Sequence, residues 1–310
     1  MMRTLAATPP NGWRPTLLPS HGPNHAATLW RARRARAHLR RSPSATVVHL
    51  HAASDWSLRR KLRFARSVGP RPVVLHLHSG DTATWLAASA ARAARIRAAV
   101  EAYVDVVVVL DEAWRERLLP FLGEVEVVAN PVDPMHVPST TPSNGANLLV
   151  MGRDAPVKRR GFALKVFEEV RLRQPEVHLH MTGGQPEFGE GWTRHGWLEE
   201  DERLRLLQST DLLLLPSRFE GQPLAALEAL ACGVPVLASQ GLVGLPSTVV
   251  RPEHDSLEAW TSAVLGLLKE RPSQAALVAS VAPHAVEAVA ARWDEVYALA
   301  VERAARRARS

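Results

Sequence analysis

Two glutamates eight positions apart stand out in the stretch PSRFEGQPLAALEALACGVPVLAS, residues 216–239. Glu220 lies just before a predicted helix, and Glu228 lies about two turns inside that helix. Carboxylates at this spacing can accept hydrogen bonds from two separate hydroxyl-bearing parts of one ligand. The alternative is that both are surface residues of an ordinary helix. The apolar strand DLLLLPS before the pair and the apolar helix after Glu220 argue against that alternative.

The residues between the two glutamates predict a ligand-binding turn. Gly221 permits an unusual backbone conformation at the end of the strand, and Pro223 suits the first helical position. The N–H groups near Gln222–Leu224 then have no acceptor within the helix, so they can bind an anion or a hydroxyl group. A sugar nucleotide fits this description, because it carries a hexose at one end and a ribose at the other.

A basic loop in the stretch NLLVMGRDAPVKRRG supplies the cations that a pyrophosphate needs. Arg153 and Lys158 follow a predicted strand and a glycine, at the carboxyl end where ligands bind in parallel sheets. Arginine can contact a phosphate through two N–H groups, and lysine adds a mobile charge. The alternative is a solvated basic loop, and the nearby glutamate pair makes the phosphate interpretation the stronger one.

Histidines recur in three His-x-His pairs, and each pair lies in a predicted strand: His49/His51, His76/His78 and His178/His180. Residues i and i+2 of a strand share a face, so each pair could chelate a metal ion. The pairs fall on three strands in two predicted domains and no cysteine accompanies them, so we predict no metal site. His78 ends the strand in VVLHLHSGD, where the alternative to a ligand contact is a histidine packed at the sheet edge.

Apolar runs alternate with helical patterns along the chain, which predicts parallel sheets covered by helices. Two such series are separated by MHVPSTTPSNGAN, which is rich in Pro, Ser, Thr and Asn. We therefore predict an N-terminal domain over residues 1–137, a linker over 138–146, a C-terminal domain over 147–285 and a final helix over 286–310. The predicted elements include short strands in RTLAAT and RPTLLPS and one long helix in TATWLAASAARAARIRAAVEAY.

The composition excludes several classes of protein. The 310-residue chain is 46% hydrophobic and 22% charged, which suffices for globular cores. No run of 18 apolar residues predicts a membrane span, and MMRTLAATPPNG lacks the apolar core of a signal peptide. Cys232 is the one cysteine, so no internal disulfide can form. These features predict a protein of the reducing cytoplasm.

The excess of positive charge lies in the first half of the chain. Residues 1–135 carry 19 Lys and Arg against 10 Asp and Glu, whereas residues 136–310 carry 19 against 21. The basic helices in LWRARRARAHLRR and DWSLRRKLRFAR, with Trp30 in the first, favour peripheral contact with an anionic inner membrane face or a phosphorylated acceptor. The alternatives are an ordinary arginine-rich surface and a small soluble acceptor. Nucleic-acid binding is disfavoured, because no stacking aromatic residues interleave the arginines.

Several of these motifs together resemble a known enzyme family. GRDAPVK, HGWL and PSRFEGQPLAALEALACGVPVLAS, with VVVVLDEAWRERL and VEVVANPVD before them, are similar to a family-4 retaining glycosyltransferase of the GT-B fold. The resemblance covers most of residues 100–240 and weakens before residue 70 and between 240 and 285. It implies an α/β protein with two doubly wound, Rossmann-like domains that face each other across a cleft, and RWDEVYALAVERA resembles the last helix, which crosses back to the first domain.

The resemblance also implies residue roles. Glu220 would meet the donor sugar, Glu228 would bind the ribose, and Arg153 and Lys158 would neutralise the diphosphate. His78 corresponds to a histidine that touches the donor sugar in related transferases. The remaining implied donor contacts are Gly221, Gln222, Pro223 and Leu224 at the turn, Gly183, Trp197 and Leu198 near the base, and Gly12 in place of a glycine-rich loop. The donor would be a UDP- or GDP-linked sugar, and no metal or other cofactor would be needed, since no Asp-x-Asp signature is present.

The implied reaction is hexosyl or N-acetylhexosaminyl transfer with retention, in which acceptor and leaving phosphate share one face of the sugar. The sequence departs from the family pattern in two places. TPPNGW is all that corresponds to the usual glycine-rich loop, and no Gly-Gly-x-x-Glu stretch follows VLASQGLVGLP. The alternative function is therefore a catalytically silent GT-B homologue that acts as a binding or partner subunit.

Overall fold

The computed structural model describes residues 2–20, 22, 24–42, 46–140 and 146–309. The chain divides into two compact units, one of Met2–Asn130 with Val286–Ser310 and one of Pro131–Ala285. The predicted linker, 138–146, begins after the first change of unit, and its residues 141–145 lie outside the described residues. The final helix, predicted over 286–310, groups with the N-terminal unit.

The N-terminal unit contains a four-stranded parallel sheet in the order β1-β2-β3-β4. Among the described strands, the spatial order follows the chain order without a reversal. The elements of this unit are α1 (Met2–Ala7), α2 (His25–Arg41), β1 (Val48–Ala52), α3 (Asp55–Ala65), β2 (Val73–Leu77), α4 (Thr82–Ala87), α5 (Ala90–Tyr103), β3 (Val106–Val109), α6 (Glu112–Leu122), β4 (Glu126–Val127) and α12 (Val286–Arg307).

The C-terminal helix α12 packs on this sheet because its apolar residues form one stripe. Trp293, Val296 and Ala300 recur at helical spacing and are buried against valines of β2 and β3. Polar contacts add to the docking, since the Arg292 guanidinium donates to Glu126 Oε2 over 2.5 Å. The helix therefore completes the core of the N-terminal unit, although the other unit, Pro131–Ala285, lies between it and β4 in sequence.

Three predicted elements of the N-terminal half are wrong. The RTLAAT stretch forms helix α1, because its Ala, Leu and Arg residues favour helix and Leu5 packs against the α12 core. The RPTLLPS stretch, residues 14–20, forms no strand, since Pro15 and Pro19 each lack the N–H that a sheet requires. The long helix predicted after β2 splits into α4 and α5 at Ser89, whose side chain accepts a hydrogen bond from the backbone N–H of Arg92.

The C-terminal unit contains a six-stranded sheet in the order β10-β9-β5-β6-β8-β7. All neighbours are parallel except β7 and β8, which form an antiparallel hairpin. The strands are β5 (Asn147–Val150), β6 (His178–Met181), β7 (Gly183–Gly189), β8 (Trp192–Gly196), β9 (Leu212–Leu215) and β10 (Val236–Ala238), and the helices are α7 (Arg160–Arg171), α8 (Glu200–Gln208), α9 (Leu224–Ala231), α10 (Leu257–Lys269) and α11 (Gln274–Ser280). The sequence analysis did not predict the β7–β8 hairpin or α11.

Strand β9 is buried on both faces of the sheet, and this burial explains the continuous leucine run of the strand. Leu213 and Leu215 pack with α9 residues on one face, while Leu212 and Leu214 pack with residues of α7 and α10 on the other. A strand that is buried on both faces carries apolar residues at every position and does not alternate them with polar ones. The DLLLLPS stretch predicted a strand of this kind. Among the described helices of the chain, none has the length and apolar character needed to cross a bilayer.

The strand order of the second sheet reverses at β5. The chain moves from β5 to β6 on one side and later returns to β9 and β10 on the other side. The carboxyl ends of β5 and β9 therefore border a topological switch point, where open parallel sheets form a ligand crevice. The two motifs that the sequence analysis singled out follow these two strands.

Candidate active site

The loops after β5 and β9 are joined by their backbones. The N–H of Arg218, just after β9, donates a hydrogen bond of 2.9 Å to the carbonyl of Val157, in a short 3-10 helix over Pro156–Lys158. This link brings the basic loop of one motif against the glutamate turn of the other. Two segments about 60 residues apart in sequence thus form a single wall at the switch point.

Lys158 and Glu220 form the central contact of this wall. The ammonium of Lys158 lies 2.6 Å from Glu220 Oε1, and each side chain is 17% exposed. The Lys158 side chain passes over Gly152, where an added Cβ would lie 3.4 Å from Lys158 Cε. A lysine ammonium has three N–H donors, so it can hold Glu220 and still donate to a phosphate oxygen.

Arg153 is the exposed cation of the same loop. Among the described residues no hydrogen bond or ion pair is formed by its guanidinium, and its side chain is open to solvent. The two predicted phosphate ligands therefore differ in their partners. Lys158 is paired with a carboxylate, whereas Arg153 is available to an incoming anion.

Arg160 supports the loop and was missed by the sequence analysis. Its side chain is buried, and its guanidinium donates to the carbonyls of Gly152, Thr182 and Gly183. Burial lowers the pKa of this guanidinium, and the carbonyl contacts compensate the buried charge. Arg160 thus ties the carboxyl end of β5 to that of β6. The third basic residue in VKRRG was the available signal for it.

Gly183 and the HGWL stretch lie side by side. Gly183 has a φ of 76°, and an added Cβ would lie 2.5 Å from the carbonyl oxygen of Gly152, so only glycine fits there. In the β7–β8 hairpin Gly183 pairs with Gly196, directly before Trp197 and Leu198. Trp197 is 75% exposed and Leu198 is half-buried. The structure thereby brings together the three residues predicted near the base.

The turn before α9 differs slightly from its prediction. Pro223 occupies the N-cap and Leu224 is the first helical residue, so the helix begins one position later than predicted. The amides of Leu224 and Ala225 have no acceptor within the helix. Gln222 is buried, and its side chain donates to the carbonyl of Gly244, so it fixes the turn that includes Gly221.

Glu228 faces a different cation, further along α9. Arg203 of α8 donates to Glu228 Oε2 over 2.5 Å, and the two side chains are 24% and 15% exposed. The Nε2 of buried His136 lies 3.9 Å from Glu228 Oε1, too far for a hydrogen bond. The sequence analysis missed both Arg203 and His136, because neither lies in the motif that contains Glu228.

His78 and Gly12 belong to the N-terminal unit. His78 follows β2, where its backbone N–H donates to the carbonyl of Ala52 and its Nε2 lies 2.9 Å from His51 Nδ1. Burial lowers the pKa of His78 to about 4, so its ring is neutral near pH 7. Gly12 has a φ of 83° and lies in an exposed turn after helix α1. The strand that we expected to precede Gly12 is absent, because that segment is helical.

Comparisons with known proteins identify the family of the chain. The family described as Glycosyl transferases group 1 matches residues 145–270, and the family described as Glycosyltransferase Family 4 matches residues 5–136. The two matches together cover most of both structural units, and α11 and α12 lie outside them.

Curated relatives are similar at modest identity. A D-inositol 3-phosphate glycosyltransferase of Thermobispora bispora is 30% identical over 197 residues, which are 52% of this chain and 45% of that protein. A glycogen synthase of Mycobacterium tuberculosis is 27% identical over 232 residues, 66% of this chain and 54% of that protein. The chain spans about half the length of the curated relatives it matches.

Solved structures share the fold. HepE of Anabaena, in complex with UDP and glucose, has a TM-score of 0.67 at 14% identity over 90% of this chain and 84% of that one. A sucrose-phosphate synthase of Thermosynechococcus elongatus has a TM-score of 0.64 at 18% identity, over 95% of this chain and 85% of that one. At these identities the likeness establishes the fold, and the site residues have to be argued from their own geometry.

Proposed function

Since the chain belongs to the group 1, family 4 glycosyltransferases and has the GT-B fold, we propose that it moves a sugar from a nucleoside-diphosphate sugar to an acceptor hydroxyl. The donor in this proposal is UDP- or GDP-linked, the sugar is a hexose or an N-acetylhexosamine, and the anomeric configuration is retained. Transfer itself uses no metal ion or other cofactor in this proposal, because Arg153 and Lys158 supply positive charge for the diphosphate.

The contact between Lys158 and Glu220 is the observation that carries the proposal. It places a cation for phosphate and a carboxylate for sugar hydroxyls 2.6 Å apart, at the switch point between β5 and β9. A sugar diphosphate has these two chemical groups covalently joined, so one ligand can engage both residues at once. The exposed Arg153 guanidinium adds a second contact to phosphate on the same loop.

The other roles follow from position along the donor. Glu228 lies in the second turn of α9, eight residues after Glu220. Its Oε1 keeps acceptor capacity for a ribose hydroxyl while Oε2 holds Arg203. The turn of Gly221, Gln222 and Pro223 and the first amides of α9 would hold the phosphate or the sugar. Gly183, Trp197 and Leu198 would border the base. His78 and Gly12 are proposed as donor contacts from the N-terminal unit.

The reaction that these residues support is a same-face displacement. The bond between the anomeric carbon and the phosphate oxygen breaks, and the acceptor oxygen forms the new bond from the same side. The acceptor proton passes to the departing phosphate oxygen. Arg153, Lys158 and the amide of Leu224 stabilise the charge that develops on the diphosphate, which is electrostatic catalysis without a nucleophilic side chain.

A second candidate is a silent GT-B homologue that binds a partner or a sugar nucleotide. The N-terminal unit favours it, since that sheet has four described strands in chain order and begins with a helix where the family has a strand. Turnover separates the two candidates, because a silent homologue binds nucleotide without consuming the donor.

The first test measures thermal unfolding with UDP, GDP, ADP and dTDP, and then donor hydrolysis or transfer with the sugar nucleotide of the base that binds. Lys158→Met should weaken nucleotide binding about 10- to 150-fold, since hydrogen bonds to charged groups contribute about 1.5–3 kcal/mol. Glu220→Gln should lower turnover at least about tenfold while the nucleotide still stabilises the protein, because Glu220 contacts the sugar.

Lys165→Met is the matched control for Lys158→Met, because Lys165 is an exposed lysine of α7 outside the switch-point loops. It should leave binding and turnover unchanged. A stabilising nucleotide without any turnover would favour the silent homologue. Stabilisation by none of the four nucleotides would contradict the donor site, and a fully active Glu220→Gln would contradict the role of the opening motif.

A further inference from the structure

Four histidines gather on one face of the N-terminal sheet. Strands β1 and β2 are parallel and place His51 opposite His76, while His49 and His78 lie two residues away on the same face. The rings of His49 and His51 have centroids 4.1 Å apart, and those of His76 and His78 are 3.9 Å apart. Two of the three His-x-His pairs in the sequence are therefore one structural cluster.

The ring nitrogens of this cluster point at one another. His49 Nε2 lies 3.3 Å from His76 Nδ1, and His51 Nδ1 lies 2.9 Å from His78 Nε2. His76 is 1% exposed, and its Nε2 has no hydrogen-bond partner among the described residues. The nitrogen of His76 that faces His49 is Nδ1.

We propose that His49, His51 and His76 form a binding site for one divalent transition-metal ion of the kind that prefers imidazole, with Zn²⁺ as the reference ion. One nitrogen from each ring lies within 4.8 Å of one nitrogen of each other ring. Two ligands at zinc–nitrogen distances of about 2.0–2.1 Å in a tetrahedral site are about 3.3 Å apart. The observed separation of His49 Nε2 and His76 Nδ1 has this value.

The donor set selects the class of metal. The group contains three imidazoles and, among the described residues, no carboxylate or thiol. Imidazole suits zinc, copper, nickel and iron, whereas magnesium, calcium and manganese prefer oxygen ligands. Three protein ligands leave a fourth position for water.

Neighbouring side chains fix the orientation of the histidine rings. The Tyr297 hydroxyl lies 3.0 Å from His49 Nδ1, so it fixes that ring through the nitrogen that faces away from His76. His78 holds His51 in the same way. Trp293 packs against the rings of His49 and His76. Tyr297 and Trp293 both belong to α12, so a bound ion would stabilise the docking of this helix on the sheet.

One nearby charge opposes a cation. The ammonium of Lys61 is among the groups that lower the pKa of His49 and His51, and it donates to Ser20 Oγ over 2.6 Å. Burial lowers the pKa of Lys61 to about 8. Removal of this charge should therefore tighten metal binding, an effect that damage to the fold cannot imitate.

The C-terminal unit offers a matched comparison. His178, His180 and His195 also cluster on adjacent strands, with His180 Nδ1 2.9 Å from His195 Nε2. There the Thr193 hydroxyl lies 3.0 Å from His178 Nε2. Among the described residues of that unit, no three His, Cys, Asp or Glu side chains place their ligand atoms close enough together to hold one metal ion. The two clusters have similar histidine content, so His180→Gln controls for nonspecific binding of metal to histidines.

The test begins with protein freed of metal by a chelator and then titrated with ZnSO₄. The bound zinc is measured by elemental analysis and by competition with a chromophoric chelator, and the same titration with MgCl₂ is the negative control. One zinc ion per chain, a higher unfolding temperature and the visible absorption of a tetrahedral site when Co²⁺ replaces Zn²⁺ are expected. Sugar transfer is not part of any readout, so the outcome is independent of the proposed function.

The variants locate the ion. His49→Gln and His51→Gln should each weaken zinc binding at least about tenfold, Tyr297→Phe about 10- to 100-fold, and His180→Gln not at all. Lys61→Met should bind zinc more tightly than the parent protein. Circular dichroism without metal shows whether each variant is folded. The proposal is overturned if the parent protein takes up no zinc, if His49→Gln and His51→Gln both bind like the parent, or if His180→Gln loses as much affinity as they do.

Discussion

Replacement of Glu228 should separate nucleotide binding from folding. Its Oε2 holds Arg203 at 2.5 Å, while Oε1 accepts no hydrogen bond from a described residue. A ribose hydroxyl can therefore bind at Oε1 without displacing Arg203. Glu228→Gln keeps the size of the side chain and an acceptor for Arg203, but it removes the negative charge. The loss of a charge-assisted hydrogen bond should cost about 1–3 kcal/mol of binding free energy, which is about 5- to 150-fold in affinity.

The measurement is the rise in unfolding temperature caused by UDP, or by the diphosphate that binds best. At a hundred times its dissociation constant a ligand adds about 2.7 kcal/mol of stability, which raises the unfolding temperature of a unit of this size by about 5–10 °C. If Glu228→Gln weakens binding tenfold, the same ligand concentration adds about 1.4 kcal/mol, and a hundredfold weakening leaves about 0.4 kcal/mol. Over the predicted range the ligand-induced shift should thus fall to about two-thirds or less.

Arg203→Met is the matched control, because it breaks the same ion pair from the other side. The unliganded variant should lose about 1–2 kcal/mol of stability, between the values for exposed and buried pairs, since both partners are largely buried. Its ligand-induced shift should be retained or should grow, because Glu228 is then free to bind hydroxyl groups with both oxygens. Equal ligand-induced shifts in the parent and in Glu228→Gln would refute the assignment of Glu228 to the ribose.

Two further outcomes follow from the structure. Burial and the neighbouring His178 and His195 lower the pKa of His180 to about 4, below its ordinary value of about 6.5. Between pH 6.5 and pH 4 the unfolded chain therefore binds more protons at this residue than the folded chain does. The free energy of unfolding should thus decrease as the pH falls through this range. Urea unfolding at pH 7 and pH 5 measures how much of the free energy of unfolding is lost on acidification. The loss should be smaller for His180→Gln than for the parent, by up to about 2 kcal/mol after solvent screening. An equal loss in both proteins would contradict the lowered pKa of His180. We also propose that helix α2, where Trp30 and Leu29 are exposed among arginines, contacts anionic lipid at the inner membrane face. The amount of protein that sediments with vesicles containing phosphatidylserine should decrease with added salt and in Trp30→Ala. Binding that is absent or insensitive to salt would refute this proposal.

The fold class could be predicted from the sequence because the apolar runs of buried strands and the helical repeat of apolar residues are both local patterns. Continuous apolar runs such as VVVV in β3 and LLLL in β9 occur where strands are buried on both faces. The predicted α/β protein of the GT-B fold is confirmed by the two largely parallel sheets and by the solved structures that share this fold. The failures are equally physical: the RTLAAT stretch is too short for its pattern to distinguish helix from strand, and packing on α12 decided the outcome.

The candidate site was only partly predictable. Motif spacing identified Glu220 and Lys158 separately, but their contact depends on β5 and β9 being neighbours, and strand order is not contained in local periodicity. Arg160 and Arg203 were missed for the same reason, since each bonds to groups on another element. The histidine pairs show the limit most clearly. Their assignment to separate strands argued against a metal site, and only the register between β1 and β2 brings His51 beside His76.

The two sheets differ in a way that bears on where the donor binds. In the C-terminal sheet the order reverses at β5, so the carboxyl ends of β5 and β9 border a switch point of the kind at which parallel sheets form a ligand crevice. The four described strands of the N-terminal sheet run in chain order, so no such crevice arises from its topology. The candidate residues follow the same division. Arg153, Lys158 and Glu220 lie at the switch point, whereas the paired rings of His51 and His78 lie at the carboxyl ends of β1 and β2. In the proposed function the charged partners of the nucleoside diphosphate therefore lie in the C-terminal unit, whereas His78, the histidine proposed from the N-terminal unit, is a neutral ring near pH 7.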